Sequence, residues 1–463
     1  MFKKLALGVI ALLLMVACVS KKATKKEGLS LLKISENGRF MEDESGDPFF
    51  WLGDTGWLLF SKMTREEADQ YLTNRAELGF NVIQVMVLHT IGAKNVYGDS
   101  ALIKNNVAFP LITEGNDFKD SVQYDFWDNV DYVVDLAAEK GLYMAMVPVW
   151  GNNVKDGYVS RDEAATYSKW LANRYKDRTN IIWLNGGDTF GSDSTATWNI
   201  IGNGLNDTDP NHLITFHPRG RCSSTDWFHN EKWMDFNMVQ SGHRRYDQDD
   251  TERAYGQDNW RYMEDDYKMT PAKPTIDGEP SYEGIPQGLH DTNQPFWNDD
   301  DVRRYAYWSV FAGAFGYTYG HSAVMQFYSE KDKEPAYGAK LYWQQAVNEP
   351  GAKQMKYVKQ LMLSRDFFSR VPDQSLLAEN GEKYSYKVAT KGNCYAMIYT
   401  YIGDEIAVNM DQFSSSKVKA SWFNPRNGEI KEIKEVSNTG VARFDAPGET
   451  EEGNDWVLIL DEV

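Results

Sequence analysis

Two acids stand in sequence settings that suit acid–base chemistry. The run Trp183-Leu184-Asn185-Gly186-Gly187-Asp188 places a carboxyl group just past an apolar stretch and two glycines. Pro274-Thr275-Ile276-Asp277-Gly278-Glu279-Pro280 places a second one at the corresponding end of another stretch. If both stretches are strands of one barrel, Asp188 and Glu279 face each other across its mouth. Two carboxyl groups so placed can divide the work of acid and nucleophile when their surroundings push their pKa values apart. Splitting a glycosidic bond requires that division: a retaining pair stands ~5 Å apart and forms a covalent glycosyl intermediate, while an inverting pair stands wider to admit water. Each acid also has a structural reading. Asp188 suits a helix N-cap, and Glu279 suits a salt bridge to one of the many arginines.

The elements that must hold these acids follow from periodicity. From about Phe49 to Gly320, short β-rich runs alternate with amphipathic helical stretches, the pattern of a parallel sheet with crossover helices. Eight runs read as strands: Phe49 to Gly53, Asn81 to Val87, Leu142 to Val149, Ile181 to Asn185, Leu213 to His217, Phe236 to Gln240, Pro274 to Gly278 and Ala312 to Tyr319. Eight strands predict a closed (β/α)8 TIM barrel, whose reacting groups lie at the C-terminal strand ends, where Asp188 and Glu279 fall. Thr64 with Glu67 and Ser160 with Glu163 predict capping boxes at helix starts. Gly79 and Gly141 suit left-handed helix closures, and Val302 to Phe311 is apolar enough for a packed helix. A helical pair, Ala339 to Val347 and Ala352 to Arg365, is split by Pro350-Gly351.

After Pro372 the pattern becomes all β. Tyr384 to Ala389, Tyr395 to Tyr401, Ile406 to Met410, Val418 to Phe423 and Trp456 to Leu460 predict a small antiparallel β-sandwich. Trp422 and Trp456 lie within these runs, so a packing role is expected for the domain. The organisation read from the chain is a barrel over residues 30–371 and a sandwich over 372–463.

Ahead of the barrel, residues 1–17 read as a lipoprotein signal peptide: Lys3 and Lys4 precede an apolar stretch from Leu5 to Val16 that is too short to span a membrane. Leu14-Met15-Val16-Ala17-Cys18 resembles a bacterial lipobox, which makes Cys18 the lipidated residue and 18–29 a lysine-containing tether. The expected location is the bacterial cell envelope, lipid-anchored in the periplasm or at the cell surface. Sixty-seven acidic against 49 basic residues give a net charge of -18, which repels a phosphate backbone and argues against a nucleic-acid partner. Cys222 and Cys394 are too few and too far apart for a disulfide framework. The chain carries no HExxH, CxxC, Walker or GxSxG motif, and neither a metal nor another cofactor is expected. The acidic, aromatic stretch Tyr246 to Met269 lacks the EF-hand order and reads as a solvated loop shaping a pocket wall. No obligate protein partner is expected.

Trp51-Leu52-Gly53-Asp54-Thr55-Gly56-Trp57, Trp183 to Asp188, Asp277-Gly278-Glu279-Pro280-Ser281-Tyr282-Glu283-Gly284, Gly313 to Gly320, and Trp422-Phe423-Asn424-Pro425-Arg426-Asn427-Gly428 together resemble glycoside hydrolase family 140, the apiosidase family, over nearly the whole mature chain. The resemblance implies a barrel with a C-terminal β-sandwich that removes D-apiose from rhamnogalacturonan II, a plant pectin. It implies Asp188 as acid/base and Glu279 as nucleophile. One departure from the wider clan is that its acid is commonly a Glu directly after Asn. Here Gly186-Gly187 intervene and the acid is the shorter Asp. Glu283 is an alternative nucleophile, though Glu279 ends the strand.

Other strand-end residues complete a sugar pocket: Asp54, His89, Trp150 with Asn152, Asn185, His217, His243, Tyr282 and His321. The pectic acid beside apiose needs a cation. Arg219, Arg221, Arg244 and Arg245 either supply it or balance nearby acids. The competing readings are another glycosidase of different sugar specificity and a catalytically silent glycan-binding lipoprotein.

Overall fold

The computed structural model describes residues 28–463. The signal segment, Cys18 and the lysines of the tether lie outside the described residues. Eight strands run in the expected order: β1 (Trp51–Thr55), β2 (Val82–Leu88), β3 (Tyr143–Val149), β4 (Ile181–Thr189), β5 (Ile214–Pro218), β6 (Asn237–Gln240), β7 (Thr275–Asp277) and β8 (Gly316–Tyr319). Parallel ladders join β1 through β5 in sequence, and β8 closes back onto β1 while pairing β7, which pairs β6. Strands such as Val82–Leu88 and Tyr143–Val149 are nearly continuous apolar runs because both faces are buried, one in the barrel and one under helices.

Each strand is followed by a helix: α1 (Arg65–Glu77), α2 (Phe126–Glu139), α3 (Arg161–Tyr175), α4 (Thr195–Thr208), the single turn α5 (Thr225–Phe228), α6 (Asn259–Tyr267), α7 (Asp299–Phe311) and α8 (Pro350–Leu363). The Thr64/Glu67 and Ser160/Glu163 capping boxes form at the starts of α1 and α3. Gly79 and Gly141 adopt φ of 88° and 77° after α1 and α2.

The cylinder closes between β5 and β6 without a regular ladder. The Asp235 amide donates to the Ile214 carbonyl (2.8 Å), the Asp235 carboxylate accepts the Ile214 amide (2.8 Å), and the Thr215 hydroxyl donates to the Phe236 carbonyl (2.5 Å). A short antiparallel strand, Cys222–Ser223, is added outside β6.

Four local expectations are corrected. The eighth strand begins at Gly316 rather than Ala312, because Ala312 ends α7 and Gly313 turns the chain with φ 122°. The helical pair is present as Trp343–Ala346 and α8, but Pro350 does not lie in the break between them: it starts α8 at its first position, where its missing N–H costs nothing. The acidic insertion is no pocket wall. Residues 246–258 of it are turns and bends, and the rest folds into α6, whose Asn259 bonds the Asp277 carboxylate and whose Trp260 stacks on Tyr386 at 3.9 Å. In the second domain Lys383–Ser385 forms a single 3-10 turn, so that strand runs from Val388 to Lys391.

Two features go beyond the sequence reading. An antiparallel sheet of Leu32–Ile34, Met41–Asp43 and Pro48–Phe49 covers the N-terminal end of the barrel, where Phe49 packs edge-on against Tyr143, the first residue of β3. The second domain is a six-stranded antiparallel sheet faced by the pair Ile406–Asn409 and Val441–Phe444, with Ile398, Val408, Phe444 and Leu458 between the layers. Ile430–Ser437, at the edge of that sheet, had no expected counterpart: nearly every residue is exposed, so no alternation marks it.

Candidate active site

At the C-terminal end of β4 the ladder with β5 slips between Gly186 and Thr189. The two glycines take φ of 90° and 110°, and Asp188 follows at φ 46°. A β-carbon on Gly186 would meet the His217 carbonyl oxygen at 2.7 Å, and one on Gly187 would meet the Trp150 ring at 2.5 Å. Only glycine fits this bulge, which re-aims the following side chain into the mouth of the barrel. Backbone displacement thus supplies the reach that a longer Glu would otherwise provide. Asp188 caps no helix, since α4 begins at Thr195.

The Asp188 carboxyl lies in a cavity of about 410 Å³ that Glu279 also lines. Gln240, the last residue of β6, donates to Asp188 Oδ1 (3.2 Å), and Arg219 Nη1 stands 3.9 Å from Oδ2. Enclosure pushes the Asp188 carboxyl above its ordinary value and the charge of Glu279 adds to the rise, while Arg219 opposes it.

Glu279 is the opposite case. Burial alone would push its carboxyl up, but His217 and His243 outweigh burial and hold it at about 2. His243 Nε2 lies 3.2 Å from Oε1 and His217 Nε2 lies 3.1 Å from Oε2. The Asp188 amide donates to Nδ1 of the same His217 (3.3 Å). The site therefore holds one carboxyl biased toward its protonated form beside another held ionised.

Aromatic rings wall the cavity. Trp57 packs against Trp150 (5.2 Å between centroids) and His217 (5.3 Å), and Tyr282 meets His243 edge-on at 4.8 Å. Loops after β7 and β8 contribute Leu289, His290 and Tyr337. Nine non-glycine residues adopt positive φ among the described residues, and four of them, Asp188, Arg221, Leu289 and Tyr337, line this one cavity. Such conformations are costly and gather at sites where the surrounding structure enforces a needed direction.

Of the expected pocket residues, Trp150, Asn152, His243 and Tyr282 line the cavity with the two acids, and His217 stands behind Glu279. Four do not reach it. Asp54 is fully buried and accepts from Tyr71 (2.6 Å) beside Arg75. His89 meets Ser61 at 3.1 Å. Asn185 donates to the Trp198 carbonyl (2.8 Å) and braces α4 against β4. His321 lines a separate cavity with Glu283. Glu283 itself accepts from Tyr319 (2.5 Å) and from the Gly351 amide (3.2 Å), away from Asp188. Trp57, Gln240 and Tyr337 went unassigned as site residues, although Gln240 ends a predicted strand and could have been found by that rule. Among the described residues no group of three or more His, Cys, Asp or Glu is placed to hold a metal ion.

Comparison with known proteins bears on the fold and the class of enzyme. Residues 35–369 match the family described as "Apiosidase-like, catalytic domain", and residues 371–461 match "Putative collagen-binding domain of a collagenase". Among solved structures, the chain is similar to a protein described as a glycoside hydrolase, at 46% identity and TM-score 0.88, covering 94% of this chain and 97% of that one. It is also similar to a crystal structure described as a glycoside hydrolase family 5 protein from Bacteroides vulgatus ATCC 8482, at 44% identity and TM-score 0.89, covering 93% of this chain and 94% of the other. No curated protein matches. With a barrel, a shared two-carboxylate cavity and a family match over most of its length, the chain belongs to the apiosidase-like catalytic domains and is a glycoside hydrolase.

Proposed function

We propose that this glycoside hydrolase is a retaining exo-glycosidase that removes D-apiose from the side chains of rhamnogalacturonan II. The observation that carries the reading is the pair Asp188 and Glu279, displaced in opposite directions within one cavity. A carboxylate held at about 2 is a poor general base for water, because proton transfer is best served by a pKa near the working pH. A carboxylate held ionised beside a second, raised carboxyl suits the nucleophile's part of a retaining mechanism.

In the first step Asp188 gives its proton to the glycosidic oxygen while a Glu279 oxygen bonds to the anomeric carbon. The carbon–oxygen bond breaks and the leaving sugar departs as an alcohol. In the second step the Asp188 carboxylate takes a proton from water, the water oxygen bonds to the anomeric carbon, and Glu279 is released. Incubation with rhamnogalacturonan II oligosaccharides, with chromatography of the released sugar and NMR of its first-formed anomer, tests the reading. Apiose with retained configuration is expected. Another sugar moves the substrate, and an inverted first product removes the covalent intermediate.

We further propose that the protein is anchored in the bacterial cell envelope through a lipid on Cys18. Labelled palmitate should enter the wild-type chain and not Cys18→Ala. Its partner is a pectic oligosaccharide, not nucleic acid.

A further inference from the structure

The loops that follow β7 and β8 build two cavities. Tyr282 and Ile285 line the one that holds Asp188 and Glu279, whereas Glu283 and Gly284, which lie between them in the chain, line a second cavity of about 370 Å³. The chain after β8 divides in the same way: Met325 and Tyr337 belong to the first cavity, and His321, Ser322 and Lys340 to the second. The two cavities therefore share walls at the C-terminal end of the barrel. Phe296 and Trp297 give the second one its aromatic surface.

Three neutral donors in this second cavity lack acceptors among the described residues. Ser322 is fully buried and its hydroxyl has no partner; Trp297 is 1% exposed and its indole N–H has none either. His321 Nδ1 accepts the Ala323 amide (3.1 Å), so the hydrogen of the neutral ring sits on the unpartnered Nε2, and burial keeps the ring neutral by lowering its pKa to about 3. Gly284 adopts φ 74°, and a β-carbon there would stand 3.0 Å from both His321 Nε2 and Ser322 Oγ. Both polar atoms thus border the space that glycine leaves open. Donors withdrawn from water without an acceptor are costly, and evolved interiors keep them paired.

The charges around the cavity narrow the ligand. Glu283 already accepts from Tyr319 and Gly351, Asp299 is paired with Arg303, and the Lys340 ammonium lies over the Phe296 ring, 3.5 Å from its centroid. An anion would meet the carboxyl groups of Glu283, Asp299 and Glu349 against the ammonium of Lys340. An apolar molecule would leave the donors unpaired. A neutral sugar offers hydroxyl oxygens to the donors and C–H faces to Phe296 and Trp297. We propose that this second cavity binds a neutral sugar, whose oxygens accept from His321 Nε2, the Trp297 indole and the Ser322 hydroxyl. The site lies apart from Asp188 and Glu279, and the inference does not depend on which sugar they release. With shared walls between the cavities, a branched glycan engaged at one gains a second hold at the other.

NMR of the indole N–H groups tests this, with Trp297 reporting on the second cavity and Trp57 and Trp150 on the first. The probes are D-glucose, D-galactose and L-rhamnose, each taken to about 100 mM so that dissociation constants in the millimolar range are reached, with sodium acetate as the anionic control. At least one sugar should move the Trp297 resonance to saturation, and acetate should not. Gly284→Ala, whose methyl group covers His321 Nε2 and Ser322 Oγ, should abolish that movement and leave the responses of Trp57 and Trp150 unchanged. Ser322→Ala should weaken the sugar by about three- to ten-fold, as for loss of one neutral hydrogen bond. A Trp297 resonance that none of the three sugars moves to saturation overturns the proposal, as does one that acetate moves instead. A movement that follows Trp57 and Trp150 and survives Gly284→Ala places the sugar in the first cavity and overturns it too. Should Gly284→Ala fail to fold, Ser322→Ala decides, and unaltered affinity there is the overturning result.

Discussion

His217 Nε2 stands 3.1 Å from Glu279 Oε2, and Nδ1 of the same ring accepts the Asp188 amide at 3.3 Å. One imidazole from the end of β5 therefore braces both acids. Removing it leaves burial as the dominant influence on Glu279, and burial raises a carboxyl pKa. Catalysis needs Glu279 ionised, so the acid limb of kcat/KM should move to higher pH in His217→Asn, with turnover lowered about 100-fold by loss of orientation. An acid limb that stays where wild type has it would show that His217 does not hold Glu279 ionised.

Asp188 carries the complementary expectation. Its carboxyl lies above the ordinary value because of enclosure first and the neighbouring Glu279 second. The proton must be present for the first step, so activity falls as pH rises through that value and the alkaline limb belongs to Asp188. Asp188→Asn and Glu279→Gln should each lower turnover by about 10³-fold or more while leaving sugar affinity and circular dichroism intact. The alkaline limb should also vanish from the residual activity of Asp188→Asn. Wild-type turnover in either variant would remove the assignment.

The bulge that aims Asp188 is open to a separate test. A methyl group on Gly187 meets the Trp150 ring at 2.5 Å in a backbone with φ 110°. Gly187→Ala must shift either the ring or the strand end, and a displacement of about 1 Å at a reacting group costs roughly 100-fold in rate. Kinetics beside thermal melting should show a loss of turnover out of proportion to the loss of stability. Gly141→Ala serves as a control for left-handed strain alone, since Gly141 has a comparable φ of 77° and nothing near its missing β-carbon.

Much of this site was legible because barrel strands declare themselves as apolar runs and barrel chemistry sits at their C-terminal ends. That rule alone placed Asp188 and Glu279 in one mouth. It failed where position along a strand does not decide which way a side chain points. Asn185 and Asp54 belong to strand ends yet turn outward or downward, into bonds with the Trp198 carbonyl and Tyr71. Tyr337 was invisible for the opposite reason: it sits on a loop after β8, in a left-handed turn that no periodicity announces. The exposed strand Ile430–Ser437 lacked the alternation that burial of one face imposes.

A buried ion pair helps to hold the second domain to the barrel, beside contacts such as Trp260 on Tyr386, and it sets the last expectation. Arg303 on α7 bonds both oxygens of Asp455 (3.0 Å from Nε and from Nη2), the Tyr399 hydroxyl adds a bond at 3.2 Å, and Tyr307 stacks on Tyr399 at 4.9 Å. Asp455 is fully buried and Arg303 is 2% exposed. Asp455→Ala leaves the guanidinium buried with only Nη1 still bonded, to Asp299 and Gln354, and breaking such a pair by removing one partner costs about 3–5 kcal/mol. Replacing both partners with apolar groups, Arg303→Met/Asp455→Leu, should recover most of that loss, because neither charge then has to be desolvated. Urea unfolding followed by tryptophan fluorescence should show Asp455→Ala with the lower midpoint and the double variant near wild type. Since α7 also packs on β8, the single variant should lose barrel and sandwich in one transition. Two separated transitions, with the barrel midpoint unchanged, would mean that the sandwich adds nothing to the stability of the domain that carries the site.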